Sequence, residues 1–264
     1  MIERTLQLCR PGGEMEIFLA YPSGSDRFPA VILYMDMWGM RATLTDIARR
    51  IAAAGYCCVL PDLNYRGGRV RYAACDIPGR QLNFAALEPE RQTALRAAMD
   101  DLSDAMVIED TAYLLDFMRR DQPVLQGPIG AIGYCMGGRH ALCVAGAFPE
   151  RFKATACLHG AGLVTAADNS PHLVARRAAG EIYCGHAERD KYAPADVVER
   201  IDDALAGCEV RYQRRVHSGA EHGYALPDRD VFDQRATDQD WEAIFAMLGR
   251  QLVRETIDAD GGRN

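Results

Sequence analysis

The chain has no run of about 18 apolar residues, so nothing in it reads as a transmembrane helix. It has no C-x-x-C pair, so its nine cysteines suggest neither a zinc knuckle nor a thioredoxin-type redox pair. It has no excess of basic residues. The formal net charge is -7 and the pI about 5.4, which argues against nucleic acid as a main partner. It has no internal repeat and no low-complexity block. Its opening residues, Met1-Ile2-Glu3-Arg4, lead into mixed polar sequence rather than an apolar signal core, so the expected compartment is the cytoplasm. No metal or cofactor is implied, and the expected state is a monomer or small homo-oligomer.

What is there is an ordinary soluble composition, 48% hydrophobic and 25% charged over 264 residues. That fits one α/β domain over residues 1–257, with 258–264 as a disordered tail. Cys57, Cys58, Cys157 and Cys184 lie inside apolar runs and read as reduced core residues.

Residues 14–21, 28–35 and 56–60 read as strands, with a helix over 43–54 whose apolar face is Leu44, Ile47, Ala48 and Ile51. Apolar strands joined by a helix imply a parallel sheet covered on both faces. Residues 64–83 read as a long irregular loop, and 64–101 as a lid or pocket-lining segment. Helices follow over 89–101 and 102–120, the second amphipathic at Met106, Tyr113, Leu114 and Met118. Beyond the apolar run at 130–132 come a helix over 139–148 and strands at 155–159, 181–184 and 209–216. A loop over 160–173, a helix over 195–205 and a last helix over 236–254 complete the pattern. The class is α/β with an open, mostly parallel sheet, whose functional groups gather beyond the carboxyl ends of the strands.

Gly133-Tyr134-Cys135-Met136-Gly137-Gly138 joins a buried strand to a helix. It matches the nucleophile-elbow pattern G-x-S-x-G with Cys135 in the serine position. Small neighbours allow the strained turn, and the first N–H groups of the helix stabilise a thiolate. Asp190 and His222 follow in the order nucleophile, acid, histidine. In that arrangement Cys135 attacks a carbonyl carbon, His222 carries the proton and Asp190 fixes the imidazole tautomer. His217 and Glu188 are rivals; placement in the loops past the strands favours His222 and Asp190. His186 reads as a supporting residue, and His159 and His172 as site-lining or structural. The oxyanion donors expected are the N–H of Met136 and, from the loop after residue 35, that of Met37. Asp36 is either a carboxylate near the thiol or a loop residue capping the next helix.

These pieces together resemble the dienelactone hydrolase family of α/β-hydrolases. The resemblance runs from Phe28 to Leu248. It includes Asp36 and Gly39, Pro61-Asp62-Leu63, the cysteine elbow, residues 185–194 and His222-Gly223-Tyr224. It implies a triad of Cys135, Asp190 and His222, and an acidic residue, Asp36, that holds the thiol in a resting pose. Family members open the lactone ring of dienelactones. They carry an Arg four residues after the histidine to bind the substrate carboxylate; here that position is Leu226. Arg66, Arg80 and Arg229 are the candidate replacements, with Tyr224 a further candidate substrate contact. The expected activity is hydrolysis of a small carboxylic ester or lactone through an acyl-enzyme. An acyltransferase using the same site and a non-catalytic ligand sensor on a hydrolase scaffold are the alternatives.

Overall fold

Strands that are apolar along their whole length can only sit where both sheet faces are covered. In the computed structural model of the protein, β3 (Ala30–Tyr34), β4 (Cys57–Pro61) and β5 (Ile129–Tyr134) are buried at every residue and occupy the middle of the sheet. The structure describes residues 1–24, 27–67, 82–120 and 123–252; Arg80 and the tail 258–264 lie outside them. The remaining strands are β1 (Ile2–Arg10), β2 (Gly13–Tyr21), β6 (Phe152–Leu158), β7 (Glu181–Arg189) and β8 (Arg211–Glu221). They form one eight-stranded sheet in the order β1-β2-β4-β3-β5-β6-β7-β8. The β1–β2 and β2–β4 pairs are antiparallel and the rest parallel, so the carboxyl ends of β3 to β8 share one edge.

The sheet begins earlier than the sequence pattern indicates. β1 precedes the strand expected first, and its charged, half-exposed residues carry no apolar run because it lies at the edge with solvent beside it. β7 and β8 also run further than expected, to Arg189 and Glu221. Asp190 and His222 are therefore the first residues past two neighbouring strands.

Helices α1 (Ala42–Ala53), α2 (Pro89–Asp100), α3 (Asp104–Arg120), α4 (Met136–Ala147), α5 (Pro171–Val174), α6 (Ala195–Leu205) and α7 (Gln234–Gln251) complete the described chain. The buried face of α1 is the expected one, Leu44, Ile47, Ala48 and Ile51, joined by Ala52. α5 is one turn inside the segment read as loop. On α3 the buried stripe is Val107, Asp110, Thr111, Leu114 and Met118. Tyr113 is exposed, not core, and its ring is covered by the Arg10 guanidinium at 3.3 Å instead.

Asp110 explains that arrangement. Its carboxylate is fully buried and accepts from Arg10 Nε and Nη2 at 3.0 and 2.9 Å, from Tyr65 Oη at 2.9 Å and from Arg66 Nη1 at 2.7 Å. This network pins edge strand β1 to α3. It also removes Arg66 from the candidate substrate contacts, because its guanidinium is spent on Asp110. Removing the carboxylate would leave the buried Arg10 and the half-buried Arg66 without their shared partner, with only the half-exposed Glu109, 3.2 Å from Arg10 Nη2, to offset the Arg10 charge. Asp110→Ala should lower the unfolding free energy by about 3–5 kcal/mol in urea titrations.

Candidate active site

The turn from β5 into α4 is held in a conformation that only its glycines permit. A Cβ on Gly133 would fall 1.9 Å from the Gly137 carbonyl oxygen, and one on Gly137 would fall 2.2 Å from the Tyr34 carbonyl oxygen. The first turn of α4 thus lies directly against β5 and β3. Cys135, between these glycines, takes φ 55, ψ -117, a strained geometry for a residue with a side chain. Its N–H donates to Leu158 at 3.0 Å, and its carbonyl accepts from Ala161 at 3.1 Å.

The loops after β7 and β8 bring two side chains to that sulfur. His222 Nε2 lies 3.1 Å from Cys135 Sγ, and His222 Nδ1 lies 2.7 Å from Asp190 Oδ2. Asp190 Oδ1 accepts the Tyr192 N–H at 2.8 Å, so both carboxylate oxygens are engaged. Tyr192 stacks obliquely on the His222 ring at 4.7 Å, and His159 meets it edge-on at 5.1 Å. Burial alone would lower the His222 imidazole. The charge at Cys135 and the Asp190 hydrogen bond outweigh it and raise the group from 6.5 to about 10. Burial, followed by the charge of His222, holds His159 well below the ordinary range, so it stays neutral beside an imidazolium.

The rivals are occupied elsewhere. Buried His217 Nε2 is 2.7 Å from Asp240 Oδ1, and Glu188 accepts from Ser218 and Gly219 at the surface. His186 is buried away from solvent, and His172 Nδ1 is 2.8 Å from Ser170 Oγ.

A cavity of about 1120 Å³ opens over Cys135 and His222. Met37 and Met136 both line it, and neither backbone N–H has a hydrogen-bond partner among the described residues. Trp38, Phe84, Met99 and Leu102 make its apolar wall. Arg229 also lines it. Its Nε donates to the Leu82 carbonyl at 3.0 Å, and the guanidinium lies 5.5 Å from the Trp38 ring centroid. Tyr224, expected at the substrate, is fully buried outside the cavity, where its hydroxyl donates to Asp240 Oδ2 at 2.5 Å.

Asp36 makes no hydrogen bond to the thiol among the described residues. Its oxygens accept from Arg41 at 2.6 and 3.2 Å and from the Trp38 N–H at 3.1 Å, while Cys135 is hydrogen-bonded to His222. Arg41 was not singled out from sequence; the only signal for it is a lone arginine at the start of an amphipathic helix, five residues past Asp36. Tyr192, in the loop after Asp190, was likewise missed.

An elbow between the fifth strand and its helix, in a sheet of this order, with an acid after the next-to-last strand and a histidine after the last, is the layout of an α/β-hydrolase. A sequence profile of the dienelactone hydrolase family matches residues 15–252, and the chain belongs to that family. A carboxymethylenebutenolidase of Rhodococcus opacus is 28% identical over 247 residues, covering 92% of this chain and 89% of its own. A relative from Synechocystis sp. is 24% identical over 254 residues, 94% and 98% of the two chains. A solved structure from Klebsiella pneumoniae superposes with a TM-score of 0.80 at 22% identity, covering 94% of this chain and 98% of that one. The fold class expected from sequence stands.

A histidine raised above its unfolded value adds stability in full below about pH 6.5 and loses it as the pH climbs through about 10. The stability advantage of wild type over His222→Gln should therefore shrink from about pH 7 to about pH 10 in urea unfolding. A constant difference would contradict the raised imidazole.

Proposed function

We propose that the protein hydrolyses a carboxylic ester or lactone with Cys135 as nucleophile, His222 as proton carrier and Asp190 as its orienting carboxylate. The observation that carries this reading is the continuous row from Cys135 Sγ through both His222 nitrogens to Asp190, at 3.1 and 2.7 Å, under an open cavity.

The thiolate attacks the carbonyl carbon, and the C=O π pair moves onto oxygen. The unpartnered N–H groups of Met37 and Met136 receive that oxyanion. As it collapses, the C–O bond breaks and His222 Nε2–H protonates the leaving oxygen. A lactone keeps that alcohol tethered to the acyl group; an ester releases it. Water then attacks the thioester, giving its proton to Nε2, and the second collapse returns the thiolate and a carboxylic acid. Asp190 stays ionised, accepting the Nδ1–H and stabilising the imidazolium.

The cavity supports a small organic ester with an apolar body placed against Trp38, Phe84, Met99 and Leu102. Leu226 is fully buried and offers nothing to a carboxylate. Arg229 takes that role for an anionic substrate, since its Nη atoms have no carboxylate partner among the described residues and it lines the cavity.

Cys135→Ala should abolish turnover of both an anionic dienelactone and a neutral aryl ester; retention of most of the activity by this variant would sink the proposal. Arg229→Leu should raise KM for the anionic lactone about tenfold or more while leaving the neutral ester within about twofold. Equal effects on both substrates would remove Arg229 from carboxylate recognition.

A further inference from the structure

The two unpartnered N–H groups come from different loops, and so do the thiol and the imidazole. Something must hold the loop after β3 in register with the loop after β8. Arg41, whose side chain is 2% exposed, lies between them. Toward the first loop its Nη1 donates to Asp36 Oδ1 at 2.6 Å and to the Gly39 carbonyl at 3.2 Å, and its Nη2 to Asp36 Oδ2 at 3.2 Å. Toward the second its Nε donates to Asp228 Oδ2 at 2.5 Å and its Nη2 to Asp228 Oδ1 at 3.1 Å. Met37 sits inside the turn so gripped: Trp38 N–H donates to Asp36 Oδ1 at 3.1 Å, and Gly39 N–H to the Asp36 carbonyl at 3.1 Å. Asp228 is six residues past His222, and its carbonyl accepts the Leu82 N–H at 2.6 Å, which ties in the wall that precedes α2.

We propose that Arg41 is a positioning residue: by bridging Asp36 and Asp228 it holds the Met37 N–H over the carbon that Cys135 attacks. This rests on the hydrolase reading above. A planar five-donor fork holds two carboxylates in a fixed geometry, whereas an ammonium is a point charge on a flexible stem and fixes neither. The clamp acts on the oxyanion donor and touches neither Cys135, His222 nor Asp190. It therefore separates two measurable rates. Ester turnover needs the donor; alkylation of Cys135 by iodoacetamide needs only the thiolate and its imidazole.

The test uses the full-length protein and a neutral aryl ester. Arg41→Lys keeps the charge and should lower kcat by about 10²-fold, the loss typical of one oxyanion donor, with KM and the alkylation rate within about twofold of wild type. The triple variant Arg41→Met/Asp36→Asn/Asp228→Asn leaves no unpaired buried charge and should show the same split. A wild-type kcat in either variant overturns the proposal. So does a parallel fall in turnover and alkylation, which marks a residue that only holds the fold. Failure of the hydrolase reading is distinguishable, because it appears with Arg41 intact, as no ester turnover by wild type or undiminished turnover by Cys135→Ala; it overturns this proposal as well.

Discussion

The rest of the site depends on the backbone-to-backbone contact of α4 with β5 and β3. Gly133 and Gly137 bring the helix so close to the strands that a Cβ on either would overlap a backbone carbonyl. That contact forces the positive φ at Cys135, and the positive φ lifts the sulfur above the sheet edge. The same approach leaves the Met136 N–H, first in the helix, without an intrahelical acceptor, in a residue that lines the cavity. One packing constraint thus sets the position of the Cys135 sulfur, a free N–H beside it and the positive end of the helix dipole, the three things the proposed hydrolysis asks of this turn. The strain is local and is offset by the buried apolar strands on both sides.

Charge is then arranged around that sulfur by burial. Cys135, His222 and Asp190 carry a net negative charge when the thiol is ionised, in a place where water screens little. The structure keeps the positive partner on the imidazole. His159 contributes no competing charge, and the tilted Tyr192 ring lies 4.7 Å from the imidazole, centroid to centroid. Asp36, the other carboxylate near the elbow, is neutralised by Arg41. Had it been free, it would have competed with His222 for the thiol proton.

Much of this was legible in the sequence because the signals are local. The elbow is six consecutive residues, and Asp190 and His222 lie in the segments just past two readable runs, at 181–184 and 209–216, although the strands themselves continue five residues further, to Arg189 and Glu221. The central strands could be read because they are buried on both faces. β1 could not, since an edge strand with charged residues on its solvated side carries no apolar run. Tyr224 and Arg66 misled for a related reason. Residue type and proximity in sequence pointed to the cavity, but buried Asp240 and Asp110 take their polar atoms, and carboxylates 16 and 44 residues away leave no mark in the local pattern. Arg41 escaped notice in the same way, because its role depends on Asp228, 187 residues further on.

The aspartate at position 36 acquires a physical meaning from that last pair. A carboxylate one methylene longer would have to displace the guanidinium that Asp228 also holds. The shorter arm lets both oxygens turn back on Arg41 while one also accepts the Trp38 N–H. The loop is then fixed by its own backbone and by a cation that also belongs to the histidine side of the cavity. Preorganisation of this kind matters most where charge develops during reaction, because donors already in place need not reorganise when the oxyanion forms. It also explains why Arg229 stays available. With Asp228 committed to Arg41, the neighbouring guanidinium has the Leu82 carbonyl to hold its Nε and no carboxylate partner among the described residues, while it lines the cavity.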